Sequence, residues 1–142
     1  MTYFNAVFST ILFGCIALTG ACGSCPVGPV GASVQITRPP RGSSGGPEEM
    51  DEISGKVTAV DPKETRVVIY AHAGDRWWVQ PFEEAPMTVI GSNLQWSARI
   101  HLGFEYAVLL VHKNYGPPKQ PMSLPQIEGC VWAVDVTKPA PQ

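Results

Sequence analysis

Between Leu94 and Leu102 the chain alternates without a break. Leu94, Trp96, Ala98, Ile100 and Leu102 fall on one side, and Gln95, Ser97, Arg99 and His101 on the other. A period of two belongs to a strand with one buried and one wet face, because successive side chains of a strand point to opposite sides. The pattern places Trp96 in a core and Arg99 at the surface. Shorter stretches of strand character recur at Ile53–Val60, Arg66–His72, Arg76–Gln80, Met87–Ile90, Phe104–His112 and Gly129–Val136. Ala107 to Val111 is apolar on both faces, as a central strand is. Asp61-Pro62, Gly74-Asp75, Pro81, Gly91-Ser92-Asn93 and Gly103 supply the turns. Pro117, Pro118, Pro121 and Pro125 forbid a helix or a central strand between the last two stretches. The expectation is an all-β domain over residues 53–138: an immunoglobulin-like antiparallel β-sandwich of about seven strands, with a small barrel as the alternative architecture.

Upstream the composition changes. No charged side chain precedes Arg38, and Ala6 to Ala21 is largely apolar. The segment Leu18-Thr19-Gly20-Ala21-Cys22 closes this run and resembles a bacterial lipobox, in which small residues before a Cys let the extended backbone enter a peptidase cleft. It departs from that pattern in lacking a Lys or Arg before the apolar run and in placing Leu four residues before the Cys. The expectation is a signal peptide over residues 1–22 with lipid carried on Cys22, which makes the membrane a partner. Ordinary secretion and an uncleaved membrane anchor are the alternatives. Each puts the remainder in the cell envelope or outside the cell.

Residues 23–52 read as a disordered Gly/Pro-rich tether. Pro26-Val-Gly-Pro-Val-Gly31 and Arg38-Pro-Pro-Arg-Gly-Ser-Ser-Gly-Gly-Pro47 have linker composition, and Glu48, Glu49, Asp51 and Glu52 form an acidic cluster. If Cys22 carries lipid and Cys15 is cleaved away, Cys25 and Cys130 are the thiols left, in a compartment where disulfides persist. Whether they pair stays open at this level. Cys22-Gly-Ser-Cys25 is a C-x-x-C beside a signal segment, outside the βαβ context of a redox motif.

The set Trp77-Trp78-Val-Gln-Pro81, Gly91, Trp96, His101-Leu-Gly103, Tyr106-Ala-Val-Leu-Leu110 and Leu124-Pro125 resembles a β-sandwich module of secreted and lipoprotein bacterial cell-surface proteins. The resemblance covers residues 53–136. It implies the fold and the location and brings no functional residue.

Ten Lys and Arg against 12 Asp and Glu leave a net charge of −2, which argues against a nucleic-acid partner. No G-x-S-x-G, phosphate loop, H-E-x-x-H or EF-hand pattern occurs, so neither a cofactor nor a metal is expected. His72, His101 and His112 form the one conceivable metal set, against which stands their spread over separate strand ends. Glu83-Glu84, or Asp75, Glu105 and Asp135 brought together by folding, would be needed for a glycosidase. Aromatics on strands carry the better functional expectation. Trp77 and Trp78 must face opposite ways; Trp77 shares parity with Val79 and Trp78 with Gln80, which makes Trp78 the outward ring. Trp78, Arg76, Gln80 and Tyr70 are the candidate binding residues, an apolar plate with hydrogen-bonding edges suited to a sugar or a protein partner. The competing expectation is that these aromatics fill a second cluster beneath the Pro-rich segment 115–125. The function expected is a non-enzymatic, envelope-anchored or secreted binding or structural module, with a small secreted hydrolase acting on polysaccharide as the alternative.

Overall fold

The computed structural model describes residues 24–139, so Cys22 and the apolar segment before it lie outside the described residues. Among the described residues there is no helix. Eight strands are present: β1 (Ser33–Arg38), β2 (Met50–Thr58), β3 (Thr65–Ala73), β4 (Arg76–Gln80), β5 (Met87–Val89), β6 (Gln95–His101), β7 (Glu105–His112) and β8 (Val131–Thr137). They form two antiparallel sheets, one of three strands in the order β1-β2-β6 and one of five in the order β4-β3-β7-β8, with β5 also pairing β3. The sheets face one another as in a β-sandwich, β1 lying over β7 and β8 and β6 over β3 and β5.

The alternation seen in sequence builds the layer between the sheets. Ile53 and Val57 of β2, Val67, Ile69 and Ala71 of β3, Trp96 and Ile100 of β6, and Tyr106, Val108 and Leu110 of β7 share one buried cluster. Trp96 stands opposite Gly55 across the β2–β6 ladder. A Cβ at residue 55 would run into the Trp96 indole and the Gln35 carbonyl, so the glycine makes room for the largest side chain of the core.

The central strands β3 and β7 are apolar on both faces, and the second face needs its own cover. Val68, Tyr70, Trp77, Val79, Ala107, Leu109, Val111 and Val131 form a second cluster, against which Tyr115 and Leu124 of the Pro-rich segment pack. That segment also closes the free edge of β4. The Trp77 amide donates to the Pro121 carbonyl and the Val79 amide to that of Lys119, each at 3.0 Å. Pro121 has no N–H to offer onward, so the sheet ends there without a new sticky edge.

The expected tether differs from what is observed. Within residues 23–52 lies β1, paired antiparallel with β2 from Ser33↔Thr58 to Arg38↔Ser54, and β2 itself begins at Met50. The reason is local: Val34 and Ile36 alternate with polar residues, and Val34 is buried in the inter-sheet cluster with Ile36 packed against it. The linker-like prolines and glycines flank this strand without entering it. Cys25 and Cys130 are joined in a disulfide, Cα–Cα 5.0 Å, which fastens the stretch before β1 to the loop before β8.

Candidate functional site

β4 extends the larger sheet outward beyond β3. Opposite residues of an antiparallel pair point the same way, and Trp78 stands opposite Ala71, whose methyl belongs to the inter-sheet cluster. Trp78 and Gln80 therefore point toward the gap between the sheets. What they meet there is the loop Ser44–Pro47 and the end of β6, with a cavity of about 600 Å³ between. A sandwich with unequal sheets leaves such a cleft at its wider edge.

The walls are held from several directions. Ser43 N–H donates to the Gly103 carbonyl at 2.9 Å, and the buried Tyr106 hydroxyl donates to the Arg41 carbonyl at 2.8 Å while accepting from Gly103 N–H at 2.9 Å. Asp51 accepts from the backbone N–H groups of Arg41 and Glu52, which hold its carboxyl below the usual carboxylate range. The loop that the composition marks as a linker is thus pinned as one wall.

The opposite wall is aromatic. Trp78 is 39% exposed and Phe82 53%. The Trp78 indole N–H donates to the Ala73 carbonyl at 3.2 Å, which fixes the ring. Phe82 meets His101 edge to face, centroids 6.0 Å apart. Gln80 is buried, and its side-chain oxygen accepts from the His101 amide at 3.0 Å and lies 3.2 Å from the ring Nδ1. That oxygen accepts only, so Nδ1 is the donor in this contact and Nε2 is the ring nitrogen left over. At the rim, Glu83 accepts from Gln120 at 2.9 Å and pairs with Lys119 at 3.3 Å. Those two contacts, Gln120 first, lower its pKa.

The four candidate residues separate. Trp78 and Gln80 line the cleft; Gln80 acts on His101 rather than presenting itself to a ligand. Arg76 stands outside it, 3.8 Å from Asp75 and donating to the Gln120 carbonyl at 3.4 Å. Tyr70 is fully buried in the second cluster, its hydroxyl donating to the Pro118 carbonyl at 2.7 Å, so it has no face to offer. Burial, and secondarily Tyr115, pushes its pKa up. Trp77 and Val79 do share one face of β4 and Trp78 and Gln80 the other, but the expected senses are reversed. Trp78 and the buried Gln80 face the gap between the sheets, Trp78 staying partly exposed in the cleft. Trp77 and Val79 lie on the outer face, in the second cluster that the Pro-rich segment covers.

Phe82 and the loop Ser44–Pro47 carry no signal in the sequence, and His101, a metal candidate by residue type, stands instead in the wall of this cleft. Phe82 follows Pro81 just beyond β4, and only the packing of the two sheets, with β4 in one and β6 in the other, brings it near His101. The other titratable groups singled out are apart in role. His72 is stacked on Trp77 at 4.5 Å with Glu105 at 3.3 Å, and His112 Nδ1 accepts from Asn114 N–H. Asp135 accepts from the Ile36 amide at 2.8 Å, tying β8 to β1. Among the described residues no group of three or more His, Cys, Asp or Glu is placed to hold a metal ion.

No family model matches the chain, and no match was found among curated proteins or among solved structures.

Proposed function

We propose that the chain is a non-enzymatic binding module of the bacterial cell envelope, lipid-anchored through Cys22 or secreted, whose ligand lies in the cleft beside β4. The observation that carries the reading is the pair of exposed rings, Trp78 and Phe82, in a cleft with a polar rim. Aromatic plates bordered by hydrogen-bonding groups suit the apolar face of a sugar ring, and a cleft of this volume takes a short glycan segment. His101 Nε2 offers a hydrogen-bonding group, and Glu83, Glu84 and Lys119 offer polar partners at the rim. The frame we assign is immunoglobulin-like, with binding groups at an edge of the sandwich.

A polysaccharide hydrolase requires a carboxylic acid that stays protonated near neutral pH. Glu83, held below the usual carboxylate range by Gln120 and Lys119, does not supply that acid. Screening the whole chain on a glycan array, beside a pull-down of envelope proteins, tests the reading. Trp78→Ala or Phe82→Ala is expected to weaken glycan binding by about tenfold or more, the loss typical of an aromatic anchor. Retention of protein partners alone, with no glycan bound, would move the assignment to a protein contact. Turnover of a polysaccharide would replace it with a hydrolase.

A further inference from the structure

We propose that the end of the sandwich carrying the Cys25–Cys130 disulfide is a membrane-contacting surface, and that the disulfide holds the cleft away from the bilayer. This rests on the reading of Cys22 as the lipid-bearing residue. Only Gly23 and Ser24 lie between Cys22 and Cys25, and the three steps of chain span at most about 11 Å. From Cys25 onward the chain is fastened to the domain by the bridge to Cys130. A lipid on Cys22 would therefore keep this end beside the membrane, where a 30-residue tether would have let the domain tumble.

The surface exposed at that end suits the contact. Val27 is 95% exposed, Val30 100% and Ile127 63%. Val27 and Ile127 border the same shallow groove as Cys25, Gly28, Pro29 and Trp132. Trp132 donates its indole N–H to the Pro26 carbonyl at 3.3 Å, so the ring is joined to the segment that leads to the anchor. Apolar side chains around an indole are the composition that rests at a bilayer interface. The groove's own charge is the Glu128 carboxylate, and nearby Lys113 is paired with Glu64 at 2.8 Å, so no positive patch faces the surface and the lipid it suits is neutral rather than anionic.

Strand direction sets the other half of the proposal. Thr65 at the start of β3 pairs His112, whose amide donates to the Cys130 carbonyl, so β3 starts at the disulfide end. Trp78 stands opposite Ala71, six residues further along β3, about 20 Å away at ~3.4 Å per residue. The cleft thus opens on the half of the molecule remote from the anchor, free to meet a ligand above the membrane.

Full-length protein, reconstituted into neutral phosphatidylcholine and phosphatidylethanolamine vesicles containing spin-labelled headgroups, reports the arrangement through its own tryptophans. The expected quenching is removed by Trp132→Phe and retained in Trp78→Phe. Val27→Asp with Val30→Asp, both at exposed positions, should reduce it at least twofold, as should about 20 Gly/Ser residues inserted between Ser24 and Cys25, which restore a flexible tether without touching the fold. Equal quenching in both Phe variants, or none lost on insertion, overturns the orientation. Mass analysis of the same sample separates the two readings: an acylated Cys22 without the Trp132 preference defeats the orientation alone, and an N-terminus without lipid defeats the anchor and the orientation with it.

Discussion

Trp96 and Arg99 test the two faces of one strand. Trp96 is 3% exposed and sits in the space that Gly55 leaves, whereas Arg99 is exposed on the outer face of β6. Trp96→Ala is expected to cost about 3–5 kcal/mol in denaturant unfolding, and Arg99→Ala under about 0.5 kcal/mol. Gly55→Ala should approach the tryptophan variant in severity, since backbone as well as indole would have to move. Burial raises the phenol pKa of Tyr70 and Tyr106, which sets an alkaline limit to stability. Below pH 10 both states hold these protons. Above it the unfolded chain releases them while the folded chain keeps them, so stability falls as pH rises, by about 1.4 kcal/mol per pH unit for each tyrosine until its folded pKa is reached. Tyr70→Phe should flatten that slope in melts between pH 10 and 11; an unchanged slope would mean that Tyr70 ionises freely in the fold. The sequence marks Trp96 because alternation over nine residues leaves it one place to go. It does not mark Tyr70, whose strand is apolar on both faces, so parity cannot say which side water reaches.

At the level of elements, the strands from β2 onward follow from alternation and punctuation, with ends displaced by a residue or a few. Leu94 illustrates the displacement: it packs against the core, but its positive φ of 61° puts it in the turn, so β6 begins at Gln95. β1 escaped because six residues of strand lie between two linker-like stretches, and composition averaged over the whole masks them. The Pro-rich segment was legible as a non-helix but not as the cover of a sheet face, since its hydrogen bonds to β4 come through the carbonyls of Lys119 and Pro121. This cover makes its own prediction. The amides of Trp77 and Val79 point to the outer edge of β4 and should nevertheless exchange slowly with deuterium, as interior strand amides do. Exchange at the rate of an open edge would show that residues 119–121 do not stay docked. The cleft depends on the same cooperation: Phe82 and the loop Ser44–Pro47 carry no strand signal, and their proximity is a consequence of β4 projecting past the smaller sheet.

For the whole molecule, the decisive question is where the folding unit begins. Composition sets the boundary near Ile53, and a fragment of residues 48–142 would then be a complete domain. The structure assigns β1 to the smaller sheet, so that fragment loses one of its three strands and uncovers the layer beneath Val34 and Ile36. It also loses Cys25 and with it a crosslink spanning 105 residues, a closure worth about 4.7 kcal/mol in the chain-entropy account. Domain stabilities are commonly about 5–15 kcal/mol, so the two losses together consume most of what holds such a chain folded. The fragment is expected to show no cooperative thermal transition, while residues 24–142 melt cooperatively and Cys25→Ser with Cys130→Ser melts cooperatively at a lower temperature. A fragment 48–142 that melts as sharply as the longer chain would show β1 to be an accessory strand. The three-way comparison separates the roles of strand and crosslink, because the double serine variant keeps β1 and removes only the bridge. The same comparison bears on ligand binding, since the cleft wall Ser44–Pro47 is suspended between β1 and β2: without β1, that wall has one fixed end, and glycan binding by the fragment should be lost even if part of the sandwich persists.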